Sequence, residues 1–172
     1  MLRGSLTHRL LQSLPGIPPE RRLKAAQEYV AREGEKLAAA DHAPLIADVL
    51  RVLGDTRFGA LFGPGSRAEV PIVGLIDIDG ETRRVNGQVD RLVVTPDWVL
   101  IADYKTNRPA PRALAEVPVQ YVRQLALYRA VLTKLYPQKT VRCALIWTEV
   151  PDLMELSAEA LTHALAAVTS AR

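Results

Sequence analysis

Three charged side chains interrupt two apolar runs in GQVDRLVVTPDWVLIADYKTN, residues 87–107: Asp90 in the first run, Asp103 and Lys105 in the second. With TPDW as the loop of a hairpin, Val94 pairs with Val99, and counting back along both strands sets Asp90 opposite Asp103. Alternation then puts Lys105 on the face of Asp103, opposite Gln88. Cβ atoms at directly opposed positions lie roughly 5 Å apart, where two carboxylates repel each other. A divalent cation between them removes the repulsion, and oxygen ligands of this kind suit Mg²⁺ or Mn²⁺. A lysine two residues from a metal-bound aspartate is placed to hold a water beside the ion and to neutralise charge developing on phosphorus. Those are the parts that phosphodiester hydrolysis requires. The other reading is a solvated sheet edge with the aspartates paired to Arg91 or Arg84. The flanking RLVV and VLIA speak for central strands. A further hairpin turning at Asp79-Gly80 brings Glu69 near Asp90, either as a third acid in the row or as the partner of a nearby arginine, with Pro71 able to shift that register.

The elements that must position these groups are legible in the pattern. From Leu2 to Leu53 apolar residues recur at helical spacing; Pro15, Pro18 and Pro19 part the first helix from the second, and Pro44 marks a third. GDTRFGALFGPGSRA reads as a loop with one helical turn. The two hairpins follow, then a helix from about Leu114 to Tyr136, a buried strand at Thr140–Thr148, a short strand at Leu153–Leu156 and a closing helix at Ala158–Val168. This order predicts an α/β fold: a mixed sheet flanked by helices, behind a helical N-terminal third.

Composition narrows the function classes. The chain has 172 residues with 48% hydrophobic content, enough for one core, and one domain over 1–172 is expected, with a helical part at 1–55 and a sheet-containing core at 68–172. A net charge of +3 permits an anionic partner without demanding one. The single cysteine, Cys143, rules out a disulfide framework or a multi-thiolate metal cluster and fits a reducing cytoplasm. The apolar runs are too short to span a bilayer, and the first residues lack the apolar core of a signal peptide.

Taken together, Gly87-x-x-Asp90, Asp103-x-Lys105 and Gln124-x-x-x-Tyr128 resemble the RecB-like branch of the PD-(D/E)xK nuclease superfamily. Upstream, RGSLTHRLLQSLP is similar to the Gly-x-x-x-His helix that opens such domains, so the resemblance covers nearly the whole chain. It implies a restriction-endonuclease-like fold and Mg²⁺-dependent DNA cleavage. It further implies Asp90, Asp103, the Tyr104 carbonyl and His8 as metal ligands, Lys105 at the attacking water, and Gln124 and Tyr128 as further site residues. Val89 stands where the superfamily's name has proline, which is ordinary in this branch. Within the branch the chain is most similar to the C-terminal nuclease domains of AddA-type helicase-nuclease subunits. That implies single-stranded DNA ends as substrate, an AddB-type subunit as partner and a role in double-strand break repair. No phosphate-binding GxxxxGK[ST] occurs, so the helicase motor is expected on a missing part of the same protein. Two alternatives stand beside this reading: a free-standing RecB- or Cas4-like nuclease, and a catalytically silent DNA-binding or docking module.

Other residues have plainer readings. Gln124 shares a helix face with Tyr121, Tyr128, Val117, Leu125, Leu132 and Leu135, and a buried amide there needs partners, at the metal site or the DNA backbone. Tyr121 reads as a core tyrosine. His42 and His163 read as surface or cap residues. Arg67, Arg108, Arg112 and Arg123 either line a path for a single strand or are solvated surface. On a helical wheel Leu6, Leu10 and Leu14 form the apolar stripe of the first helix, while His8 points aside with Gly4 and Leu11. Gly4 leaves that side bare enough for close approach of another element.

Overall fold

Proline sets the boundaries of the opening helices in the computed structural model, which describes residues 2–78 and 80–168. Helix α1, Leu2–Ser13, ends in a 3-10 turn, Leu14–Gly16, that contains Pro15. Helix α2, Pro19–Glu33, starts on Pro19, whose missing N–H is one that a first turn leaves unpaired anyway. Pro44 does not mark the start of the third helix but lies inside α3, Ala39–Gly54. The helix tolerates it because Leu45, Ile46, Val49 and Val52 form a buried stripe, and tertiary packing outweighs one lost backbone bond. A 3-10 turn, Thr56–Phe58, and the short helix α4, Gly59–Phe62, complete this part as the glycine-rich sequence suggested.

Strands β1, Ser66–Ile78, and β2, Glu81–Val94, pair antiparallel from Ile78↔Glu81 outward. Gly80 takes the positive φ, 79°, that the tight turn requires; Asp79, the other half of the expected turn signal, lies outside the described residues. β3, Trp98–Lys105, β4, Thr140–Trp147, and β5, Asp152–Leu156, complete one sheet in the order β1-β2-β3-β4-β5. β2 and β3 are antiparallel. β4 runs parallel to β3: Thr140 N donates to Asp97 O and Thr148 N to Lys105 O, a constant offset along both strands. A parallel neighbour needs a crossover, and helix α5, Val119–Leu135, lies in that connection. It begins at Val119 rather than Leu114, because Leu114–Glu116 forms a separate 3-10 turn and Pro118 caps the helix from outside. Helix α6, Ala158–Ala167, closes the fold, with the Ser157 side chain accepting from Ala160 N at 3.1 Å. The mixed sheet flanked by helices is thus the architecture expected.

The chain divides into two compact units. The first holds helices α1 to α4 together with Tyr104–Ala110 and Ile146–Leu153. Leu6, Leu10, Leu11, Leu14, Val30, Leu45, Val49 and Val52 are buried in it, so the covered face of α1 takes in Leu11, one turn on from His8. The second holds Gly65–Asp103, Pro111–Leu145 and the chain from Met154 onward. There α5 packs on β1 and β2, with Val131 against Gly74 and Tyr128 against Gly87; Leu125 and Leu132 are buried, while Leu135 on the expected stripe is exposed at the helix end. β3 is buried at every position from Val99 to Tyr104, as befits a strand covered on both faces. No helix among the described residues is long and apolar enough to cross a membrane.

Candidate active site

The hairpin that carries the aspartates is fixed by its turn. Thr95 N donates to Trp98 O at 2.9 Å, and Trp98 N donates to Thr95 Oγ1 at 3.0 Å. Lys139 Nζ donates to the carbonyls of Thr95 and Pro96. The resulting register is Val94↔Val99, as the sequence required, and its last pair is Arg91↔Ala102. The next residue on each strand is an aspartate. Asp90 is 8% exposed and Asp103 5%, on the inner strands β2 and β3. A solvated sheet edge is therefore excluded, and two buried carboxylates at facing positions, one step beyond the last pair, call for compensation by charge.

Glu69 stands across β1 from Asp90, between the pairs Ala68↔Arg91 and Val70↔Val89, with no shift from Pro71. Its carboxylate oxygen lies within 4.8 Å of that of Asp90. Glu69 also has a positive φ of 53°, costing about 1 kcal/mol or more in a residue with a Cβ. Gln88 Nε2 holds it there, donating to Glu69 O at 3.0 Å and to Glu69 Oε2 at 2.9 Å.

Along β3, Lys105 follows Asp103 by two residues and shares its face. Its carbonyl accepts from Thr148 N at 3.0 Å and from Thr148 Oγ1 at 3.3 Å, which anchors the strand end. Between them, the Tyr104 carbonyl accepts from His8 Nε2 at 3.1 Å, and the two rings meet edge to face at 5.7 Å. Two groups 96 residues apart in sequence are thus neighbours. Gly4 eases this approach: a Cβ there would stand 3.3 Å from Thr106 Oγ1, a tight contact. With Nε2–H donating to a carbonyl, Nδ1 is the acceptor nitrogen of the neutral ring; ligation through Nε2 would move that proton to Nδ1.

On α5, Gln124 Nε2 donates to Tyr128 Oη at 3.1 Å. Tyr128 in turn presses on the backbone of β2, where a Cβ on Gly87 would come within 2.0 Å of its hydroxyl oxygen. Gly87 is therefore the seat of Tyr128, a partnership that a glycine inside a strand signals but cannot identify.

Several residues have structural employment. Arg108 joins Arg3 and Arg51 around buried Asp48, and it also approaches Glu149 at 3.7 Å. This hub escaped the sequence reading because its members come from three separate segments. His42 lies 3.1 Å from Gly34 O and caps α2, and His163 is exposed. Cys143 is buried, and burial pushes its thiol up to about 12, which excludes it as a nucleophile at neutral pH.

The comparisons with known proteins bear on this constellation. The crystal structure of SSO0001 aligns over 97% of this chain and 75% of that one, at 16% identity and a TM-score of 0.38. No curated protein matches. The family model of the PD-(D/E)XK nuclease superfamily matches residues 2–167, from the helix that carries His8 to the end of α6, and the chain belongs to that superfamily.

Proposed function

We propose that this chain is a metal-dependent deoxyribonuclease domain of the kind found at the C-terminus of AddA-type helicase-nuclease subunits, acting on single-stranded ends. The observation that carries the reading is the pair of buried aspartates on the inner strands, with Lys105 one step further on the same face. The donor set fits a hard divalent cation such as Mg²⁺ or Mn²⁺, because buried carboxylates alone repel and the Tyr104 carbonyl and His8 imidazole already adjoin each other. Asp90, Asp103, the Tyr104 carbonyl and His8 would hold it. Such an ion lowers the pKa of bound water and polarises a phosphoryl oxygen. Lys105 positions the attacking water and neutralises the charge that gathers on phosphorus. Water oxygen adds to phosphorus as the bond from phosphorus to the departing sugar oxygen breaks, and that oxygen takes up a proton in place of the one the water gives up to solvent. Gln124 and Tyr128 orient the strand beside Gly87. An AddB-type subunit and a motor on the same protein would feed the strand to the site, for double-strand break repair in the cytoplasm.

Single-strand cleavage with Mg²⁺ or Mn²⁺, together with calorimetric Mn²⁺ binding, tests the assignment. Asp90→Ala and Asp103→Ala should abolish cleavage and weaken metal binding. Lys105→Ala should abolish cleavage with metal binding kept. His8→Ala should lower both in part, with recovery at high Mn²⁺. Metal affinity indifferent to both aspartates would remove the site.

A further inference from the structure

Beside Tyr128, α5 and β2 enclose a polar cleft whose arginines the aspartate chemistry does not use. Its lining includes Arg83, Arg84 and Asn86 from β2 and Gln120, Arg123 and Gln124 from α5. The pairing of β2 with β3 covers only Arg91 to Val94, so these residues of β2 lie on a stretch that β3 leaves open. Successive side chains on a strand point to opposite faces, yet Arg83 and Arg84 both reach the cleft, as residues on an open edge can. Among the described residues no carboxylate lines it.

Glu81 stands 3.6 Å from Arg83. Among the described residues, Arg84 and Arg123 make no ion pair, and Arg123 Nε is buried without a hydrogen-bond partner. A buried guanidinium N–H lacking an acceptor is costly, and three neighbouring guanidiniums repel one another. The complement is an anion rich in acceptor oxygens, and phosphate matches the guanidinium fork with two parallel hydrogen bonds. The amides of Asn86, Gln120 and Gln124 add donors of a kind that reaches phosphate and sugar oxygens. A cavity of about 520 Å³ is of a size to enclose one or two nucleotides of one strand, not a duplex.

We propose that this cleft binds the sugar-phosphate backbone of a single nucleic-acid strand, a few nucleotides from the phosphate that is cut. Placing the cut at Asp90 and Asp103 rests on the functional reading above; the cleft itself does not. At about 3.3 Å per strand residue, Asn86 and Arg83 lie about 13 and 23 Å from Asp90 along β2. The strand thus runs along β2 toward the aspartates, passing Tyr128 on its seat at Gly87.

The test is fluorescence-anisotropy titration of a labelled single-stranded oligonucleotide with the full chain in EDTA, over a range of salt. Arg84→Ala/Arg123→Ala should weaken binding about tenfold or more and flatten the slope of log K against log salt by about 1.4, two phosphate contacts at about 0.7 each. Arg84→Glu, at an exposed position that leaves the fold undisturbed, should weaken it at least as much and decides the matter if the double variant fails to fold. Arg32→Ala/Arg57→Ala removes the same charge from exposed guanidiniums held by Glu33 and Asp55, and should change affinity less than about twofold. Equal losses in the cleft and control variants, unchanged binding in Arg84→Glu, or no strand binding by the wild type would each overturn the proposal. Calorimetric Mn²⁺ binding should stay unchanged in the cleft variants. A wild type that binds strands through the cleft yet cleaves none would instead remove the nuclease reading and leave the cleft standing.

Discussion

Gly87 shows how much one missing side chain decides at the scale of a residue. Tyr128 occupies the space where its Cβ would be, with ring carbons at 2.5 and 2.6 Å as well as the hydroxyl at 2.0 Å. Strand backbone and a ring seated against α5 have little room to yield. Gly87→Ala should therefore destabilise the protein by about 1–3 kcal/mol, the usual cost of overpacking. In a Tyr128→Ala background the same substitution should cost only a few tenths of a kcal/mol, so urea unfolding of the four proteins should give a large coupling energy. Additive effects would mean that the two residues do not meet. The charged groups differ in kind. Asp90, Asp103 and Lys105 stand out by chemical type in an apolar run, whereas the positive φ of Glu69 has no signature in the sequence.

At the scale of elements, β4 and β5 are tied by a two-pronged ion pair: Arg142 Nε and Nη2 donate to Glu155 Oε1 and Oε2 at 2.7 and 2.6 Å. The hydrogen bond from the guanidinium is the main reason that the Glu155 carboxyl is held below its ordinary value; partial burial opposes the shift and the charge of Arg142 reinforces it. A carboxyl whose folded pKa lies below its unfolded one contributes stability above the unfolded value and loses it as pH falls through the folded value. The stability gap between wild type and Glu155→Gln should be full at about pH 7, narrow below the usual 4.5 and vanish once both states are protonated. With the side chains 41% and 40% exposed, solvent screening keeps the gap to a few tenths of a kcal/mol. Urea midpoints across that pH range measure it, and a gap that widens in acid would contradict the assignment. The pairing itself was not legible beforehand, since two short apolar strands give no register until the turn between them is known.

For the whole molecule, charge and context set the affinity. A net charge of +3 over 172 residues provides a weak field, and on the function proposed above a tethered motor would raise the effective concentration without tight binding by the domain itself. The isolated chain should bind single strands weakly, with affinity that falls steeply between low and physiological salt and little preference for sequence. Anisotropy titrations on several oligonucleotides at two salt concentrations check this. Nanomolar, salt-insensitive and sequence-selective binding would point instead to a free-standing site-specific enzyme.

The sequence by itself determined what is local. Proline and glycine placed the breaks, alternation and the TPDW turn fixed Val94↔Val99, and that register put Asp90 and Asp103 at matching positions, because a hairpin's pairing follows from its turn. Membership of the superfamily was legible for the same reason: its motifs are short spacings along one strand or one helix turn. Only the tertiary structure decided what lies between distant segments. It brought His8 to the Tyr104 carbonyl across 96 residues, seated Tyr128 on Gly87, gathered Arg3, Arg51 and Arg108 on Asp48, and set Arg123 beside Arg83 and Arg84. Contacts of that kind depend on how helices and strands pack, and many sequences share one periodicity while only the packed core selects which side chains meet.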